Sequence, residues 1–151
     1  LSEDIIDELN LQGIGKMFAL TPNDEVNALA ALHFTELFGR AEVYQLPYKK
    51  KVMSDDQRVS RHLRGRCLFD TTMTFEKIND VFNANARIDL LQFESEADLK
   101  KFDSGKMLPL VLVDEQNNLI IATEDQEVKP TVGSKLIYLE LNKNKYFNFE
   151  S

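Results

Sequence analysis

Residues 19 to 32 read Ala19-Leu20-Thr21-Pro22-Asn23-Asp24-Glu25-Val26-Asn27-Ala28-Leu29-Ala30-Ala31-Leu32. An apolar run stops at a threonine, turns on a proline and reopens as a helix. Pro22 cannot continue a strand interior. Thr21, Asn23 and Asp24 are each able to cap a helix, and Asp24 and Glu25 suit its positive N-terminal end. The pattern predicts a helix from about Asp24 to Phe38. Val26, Leu29, Ala30, His33, Phe34 and Leu37 recur at i, i+3, i+4 spacing on one face, and Gly39 is a natural stop.

The elements on either side set the fold class. Upstream, Leu1, Ile5, Ile6 and Leu9 lie at helical spacing opposite Glu3, Asp4, Asp7 and Glu8, so Leu1 to Leu9 reads as a short amphipathic helix that ends around Gly13 and Gly15. Lys16 to Leu20 has the length and apolarity of a buried strand, and Ala41 to Leu46 reads as a second. Helix, strand, helix and strand joined by short connections imply a parallel sheet with right-handed crossovers. Two strands are too few for a stable parallel sheet. The first 46 residues therefore read as the second half of a doubly wound domain, with its other strands upstream or supplied by a second molecule.

Beyond Pro47 the pattern changes. Asp55 to Leu63 reads as a helix with Arg58, Arg61 and His62 outward, and Arg66 to Phe69 as a short strand. Thr74 caps a predicted helix that reaches Ala84, with Phe75, Ile78, Val81 and Phe82 on its apolar face. Ile88 to Phe93 is strand-like, and Glu96 to Phe102 makes one or two helical turns. Leu108 to Val113 and Leu119 to Thr123 form a hairpin around the polar loop Asp114 to Asn118. Val132-Gly133-Ser134 is a turn before a last strand, Lys135 to Leu141. The tail from Asn142 to Ser151 carries Tyr146, Phe147 and Phe149 in polar company, and reads either as disordered or as packed on a partner. The expected organisation is an α/β lobe over 1–47, a basic connecting segment over 48–66, an α+β strand-rich lobe over 67–141 and the tail.

Composition narrows the function. The chain has 151 residues, 43% of them hydrophobic and 28% charged, the balance of a folded globular protein. Its net charge of −7 opposes non-specific binding to nucleic acid or to an anionic membrane. From Arg40 to Arg66 eight basic residues face three acidic ones, a local +5, so the remainder carries −12. That basic middle is either a docking surface or a solvated helix face with a lysine-rich turn. One cysteine, Cys67, rules out a disulfide within the chain. No apolar run has the length of a membrane span, and no signal peptide is visible. The first residue is not Met, which points to a processed product or a piece of a longer protein.

No convergent catalytic set emerges. Two histidines, His33 and His62, and one cysteine supply no close pair and no HExxH for a metal. Cys67 follows His62 without a nucleophile-elbow context and reads as a small hydrophobe. No P-loop is present. Gly13-Ile14-Gly15 follows a helix and precedes a strand, the wrong place for a phosphate-binding turn.

The run from Ala19 to Leu32, with the helix before it and Glu42-Val43-Tyr44-Gln45-Leu46 after it, resembles the later part of the regulator-of-potassium-conductance family, also called potassium-transport nucleotide-binding domains. In that family a strand ends in Thr, a polar turn follows, and Asp-Glu-x-Asn opens an Ala- and Leu-rich helix. The similarity is greatest to the cytoplasmic tails of bacterial sodium–proton and potassium–proton antiporters. Lys129-Pro130-Thr131-Val132-Gly133-Ser134-Lys135-Leu136-Ile137 is similar to the strand entry of their C-terminal lobe, with Ser134 where Asp is usual.

The resemblance implies a partial Rossmann-like first lobe and a non-enzymatic regulatory or assembly domain on the cytoplasmic side of the bacterial inner membrane. The alternative it implies is a nucleotide-responsive gating domain of a potassium channel or potassium-uptake system. A complete domain would take NAD or an adenine nucleotide. This chain lacks the Gly-rich half, so no cofactor is expected here, and Thr21 and Asn23 mark only the late wall of such a site. The competing reading is that Thr21 to Asp24 simply turn the chain and cap the helix. The resemblance also implies a homodimer and contact with the membrane domain of the parent chain. Val26, Asn27, Leu29, Ala30, Phe34 and Leu37 then form the core or the dimer face. Asn27 bonds either the neighbouring strand end or a partner subunit, or is merely a polar residue at the helix start. His33 is either a packed, hydrogen-bonded residue or a pH sensor.

Overall fold

A computed structural model describes residues 13–49 and 65–141. The sequence expectations for the helix at 1–9, the helix at 55–63 and the tail at 142–151 lie outside the described residues.

The first lobe is a three-stranded parallel sheet in the order β1 (Met17–Ala19), β2 (Val43–Gln45), β3 (Arg66–Cys67). Helix α1 (Asp24–Phe38) crosses from β1 to β2, and a 3-10 turn at Arg40–Glu42 leads into β2. Gly39 ends the helix in the left-handed region (φ 78°), and its N–H donates to the Thr35 carbonyl.

Facing rows of the sheet follow from its register. Phe18, Tyr44 and Arg66 are aligned across the three strands and share one face, because side chains alternate along a strand. Phe18 stacks on Tyr44 at 4.9 Å, and the Arg66 guanidinium lies 5.7 Å from the centre of the Tyr44 ring. α1 covers the opposite face. There Gly65 lies so close under the helix that a Cβ would meet Ala31 Cβ at 3.3 Å and the Val43 carbonyl at 3.0 Å.

That packing bears on the helix face left open between core and dimer contact. The buried positions of α1 are Asn27 and Ala31, whereas Val26, Leu29 and Leu37 are exposed. Small residues at Ala31 and Gly65 let the helix approach the sheet closely, which turns the large aliphatics sideways. The expected boundary after residue 66 is corrected. It falls inside β3, which belongs to the parallel sheet.

The second lobe is a four-stranded antiparallel sheet in the order β4 (Ile88–Gln92), β7 (Lys135–Glu140), β5 (Met107–Val113), β6 (Leu119–Ile121). α2 (Phe75–Asn83) and the short α3 (Glu96–Leu99) accompany it. Thr74 caps α2 by accepting from the Lys77 N–H. Ser95 and Asp98 form a reciprocal capping box on α3. β5 is an inner strand despite Pro109. The register shifts between Pro109 and Val111, so the missing N–H falls at a bulge. Asp114 organises the β5–β6 loop by accepting from the N–H groups of Gln116 (2.9 Å) and Asn118 (2.8 Å).

Residues 66 to 69 join the lobes. Leu68 N–H donates to the Gln45 carbonyl (2.9 Å) in the first lobe. Phe69 N–H donates to the Ala122 carbonyl, and Glu124 N–H to the Cys67 carbonyl, each at 2.9 Å, in the second. Phe69 adopts φ 63°, unfavourable for a bulky residue, and its ring packs against all three hydrophobic clusters of the described residues. Cutting Phe69 back to Ala is expected to destabilise the protein by about 3 kcal/mol or more, as for other large-to-small core changes. Urea unfolding checks this, and a loss below about 1 kcal/mol would show that the ring does not hold the clusters together.

Candidate functional site

In open parallel sheets the carboxyl ends of the strands are the usual place for a ligand. Here that place is the turn from Leu20 to Asn27. Asn27 is fully buried, and its side chain closes the turn. Its Oδ1 accepts from the Thr21 N–H (3.0 Å) and from the Thr21 hydroxyl (2.8 Å), and its Nδ2 donates to the Thr21 carbonyl (2.8 Å). The Thr21 hydroxyl in turn accepts from the Asn23 N–H at 3.2 Å. Asn23 Oδ1 accepts from the Val26 N–H at 3.0 Å, the N-cap bond of α1.

The backbone and hydroxyl groups of Thr21 are thus engaged within the turn, and Asn23 Oδ1 holds the helix. These are the contacts of a turn and a cap. Asn27 makes the bond to the neighbouring strand end, one of the roles its sequence position allowed. Being buried, it offers a partner no surface. Lys49 reaches the same end of the sheet. Its N–H donates to Asp24 Oδ2 (3.1 Å), and its ammonium pairs with Glu76 on α2. The hydrogen bond to Glu76 raises the Lys49 pKa, and the same bond lowers that of Glu76.

The expected interface residues divide into two groups. Val26, Leu29 and Leu37 form an exposed apolar stripe, while Ala30 and Phe34 are half-buried, with Phe34 stacked on Phe38 at 5.8 Å. His33 is half-buried and meets Phe34 edge-on at 5.5 Å. Its buried Nε2 has no hydrogen-bond partner among the described residues.

Two features escape the sequence. The first is a polar clamp between the lobes. One Arg66 nitrogen, Nη2, donates to Thr123 Oγ1 (2.8 Å), Asp125 Oδ1 (3.0 Å) and Gln126 Oε1 (2.8 Å). Thr123 Oγ1 donates to Asp125 Oδ1 at 2.7 Å. These partners lie nearly sixty residues from Arg66, beyond any local pattern. The second is a cavity of about 340 Å³ between the lobes, lined only by apolar side chains, among them Phe18, Leu46, Phe69, Ile78, Ile88 and Leu139.

Cys67 is half-buried beside the clamp. Burial first, and then the neighbouring Glu124, push its thiol up to about 12, which leaves it protonated and a poor nucleophile at neutral pH. No cluster of three metal-ligating side chains occurs among the described residues, and no helix among them is long and apolar enough to cross a membrane. Ser134 closes the turn before β7. Its hydroxyl donates to the Thr131 carbonyl (2.7 Å) and accepts from the Thr131 N–H (3.0 Å).

Compared with protein-family models, curated proteins and solved structures, the chain matches none.

The clamp carries a pH signature. The Thr123 hydroxyl, followed by Arg66, holds the Asp125 pKa below its ordinary value. A lowered carboxylate pKa stabilises the fold above the unfolded value of about 3.9 and ceases to do so as pH falls through the folded value. Arg66→Met is therefore expected to cost about 1–3 kcal/mol at neutral pH. Its deficit relative to the parent protein should narrow below about pH 4. Denaturation curves across pH read both effects.

Proposed function

We propose that the chain is a non-catalytic regulatory and assembly domain on the cytoplasmic side of a bacterial monovalent cation–proton antiporter. The observation that carries the proposal is the β1–α1–β2 parallel unit with its Thr21–Asn27 turn. It coincides with the stretch that resembles the regulator-of-potassium-conductance domains.

A domain of this kind acts by binding or contacting one state of its transporter better than another. Two features fit assembly. β1 is an edge strand of the described sheet, and α1 presents the exposed stripe Val26, Leu29 and Leu37. The proposed partner on that stripe is a second copy of the chain.

Sedimentation is expected to show a dimer at high protein concentration, with Leu29→Glu shifting it to monomer. A strict monomer would remove the assembly part of the proposal. Calorimetry with NAD, AMP and ATP is expected to show no micromolar binding. Clear binding would favour instead a nucleotide-responsive gating domain.

A further inference from the structure

Among the described residues β4 ends the antiparallel sheet, paired with β7 on one side and open on the other. Hydrogen bonds at its two ends set the phase of the ladder. Glu140 N–H donates to the Arg87 carbonyl (2.9 Å), and Phe93 N–H donates to the Ser134 carbonyl (3.1 Å). The odd-numbered residues of β4 therefore bond inward to β7. The N–H and C=O groups of Ile88, Leu90 and Gln92 point to the open side.

Edge strands are commonly blunted by Pro, Lys or a bulge. β4 carries none of these, and its register with β7 is unbroken over five pairs. Ile88 (55% exposed) and Leu90 (48%) share one face, as alternation requires. That face is continuous with the interlobe cavity. The row Ile88, Leu139 and Leu108 runs across β4, β7 and β5, and all three line the cavity, as does the exposed Phe82 of α2. A strand added at β4 would bring its own side chains within about 5 Å of Ile88 and Leu90. The open amides and the adjoining apolar space are independent observations that call for one ligand. It is an extended backbone with an apolar side chain at every second position.

Asp89 supplies the charge between. Its Oδ1 accepts from the Leu90 N–H (2.7 Å), one of the outward groups, so the carboxylate lies at the open edge. A second copy pairing through β4 about Leu90 would set the two Asp89 side chains diagonally on one face, where like charges repel. A lysine or arginine opposite Asp89 would instead pair with the carboxylate and free the Leu90 N–H for the added strand.

We propose that β4 is a docking edge for an extended segment of another protein, apolar at alternate positions and basic between them, which adds antiparallel as a fifth strand. Main-chain bonds to Ile88, Leu90 and Gln92 hold the segment, and its apolar side chains pack on Ile88 and Leu90 toward the cavity. Nothing in this docking requires the transporter reading, since it uses no residue of the Thr21–Asn27 turn.

The full chain is titrated with a capped heptapeptide of alternating valine and lysine. Amide hydrogen exchange, read by NMR, is expected to slow several-fold at Ile88 and Gln92 and to change little at Asp89 and Leu91. Gln92→Pro removes one outward N–H where an edge strand tolerates proline. It should weaken binding several-fold and leave thermal unfolding close to that of the parent. The same peptide N-methylated at its valines keeps the side chains, loses the donors and should bind several-fold more weakly. Asp89→Lys should reverse the preference in favour of a valine–glutamate peptide.

Exchange unchanged at millimolar peptide would overturn the proposal. So would binding that survives both Gln92→Pro and N-methylation, which would reduce the site to apolar capture. Slow exchange at Ile88 and Gln92 without peptide would overturn it as well. If independent of protein concentration, it would show that the chain's own residues cover the edge, and if it grew with concentration, that a second copy does.

Discussion

Everything else in the structure is hung on the four residues from Arg66 to Phe69. Arg66 and Cys67 extend the parallel sheet, and Leu68 continues its hydrogen bonding to Gln45. One residue later, Phe69 bonds to Ala122 in the antiparallel lobe. Leu68 also bridges Thr123, and Cys67 accepts from the Glu124 N–H. A backbone bonded to two sheets within four residues cannot move with one and leave the other. Buried N–H and C=O groups must find partners, and here the partners lie on both sides.

Side chains reinforce the same joint by two different kinds of force. The Arg66 guanidinium reaches Thr123, Asp125 and Gln126, while its other neighbour is the Tyr44 ring. The Phe69 ring touches the clusters built around Met73, Phe93 and Tyr44. The positive φ at Phe69 falls just past the parallel ladder, where the backbone bonds to Ala122. Such a conformation persists only when the surroundings over-determine it. Between the two lobes the described residues leave an apolar cavity.

Local signals in the sequence located most elements well. Thr21-Pro22-Asn23-Asp24 marked the start of α1, Gly39 its end, Thr74 the start of α2, and Asp114 to Asn118 the hairpin loop. Each depends on chemistry within a few residues. Which residues of α1 meet the sheet was not legible, because periodicity ranks residues by hydrophobicity. Close approach to a sheet instead rewards small size, as at Ala31 opposite Gly65. The place of β7 between β4 and β5 was not legible, since pairing order is a long-range property that alternation along one strand does not encode. The clamp was hidden for the same reason. Arg66 read as one more member of a basic segment, and nothing near it announced Thr123 or Asp125. Of the strand-end site, the turn itself was legible in Thr21 and Asn23. The burial of Asn27 and its triple bonding to Thr21 required the folded chain.

The claim that the two sheets form one cooperative unit is tested most directly by native-state hydrogen exchange. If the joint works as described, the slowest amides of β2, of Leu68 and Phe69, and of β7 exchange with one common opening free energy and one common denaturant dependence. A distinctly lower opening free energy for β2, with β7 still protected, would show that the parallel lobe unfolds alone. That result would contradict a joint anchored in both sheets.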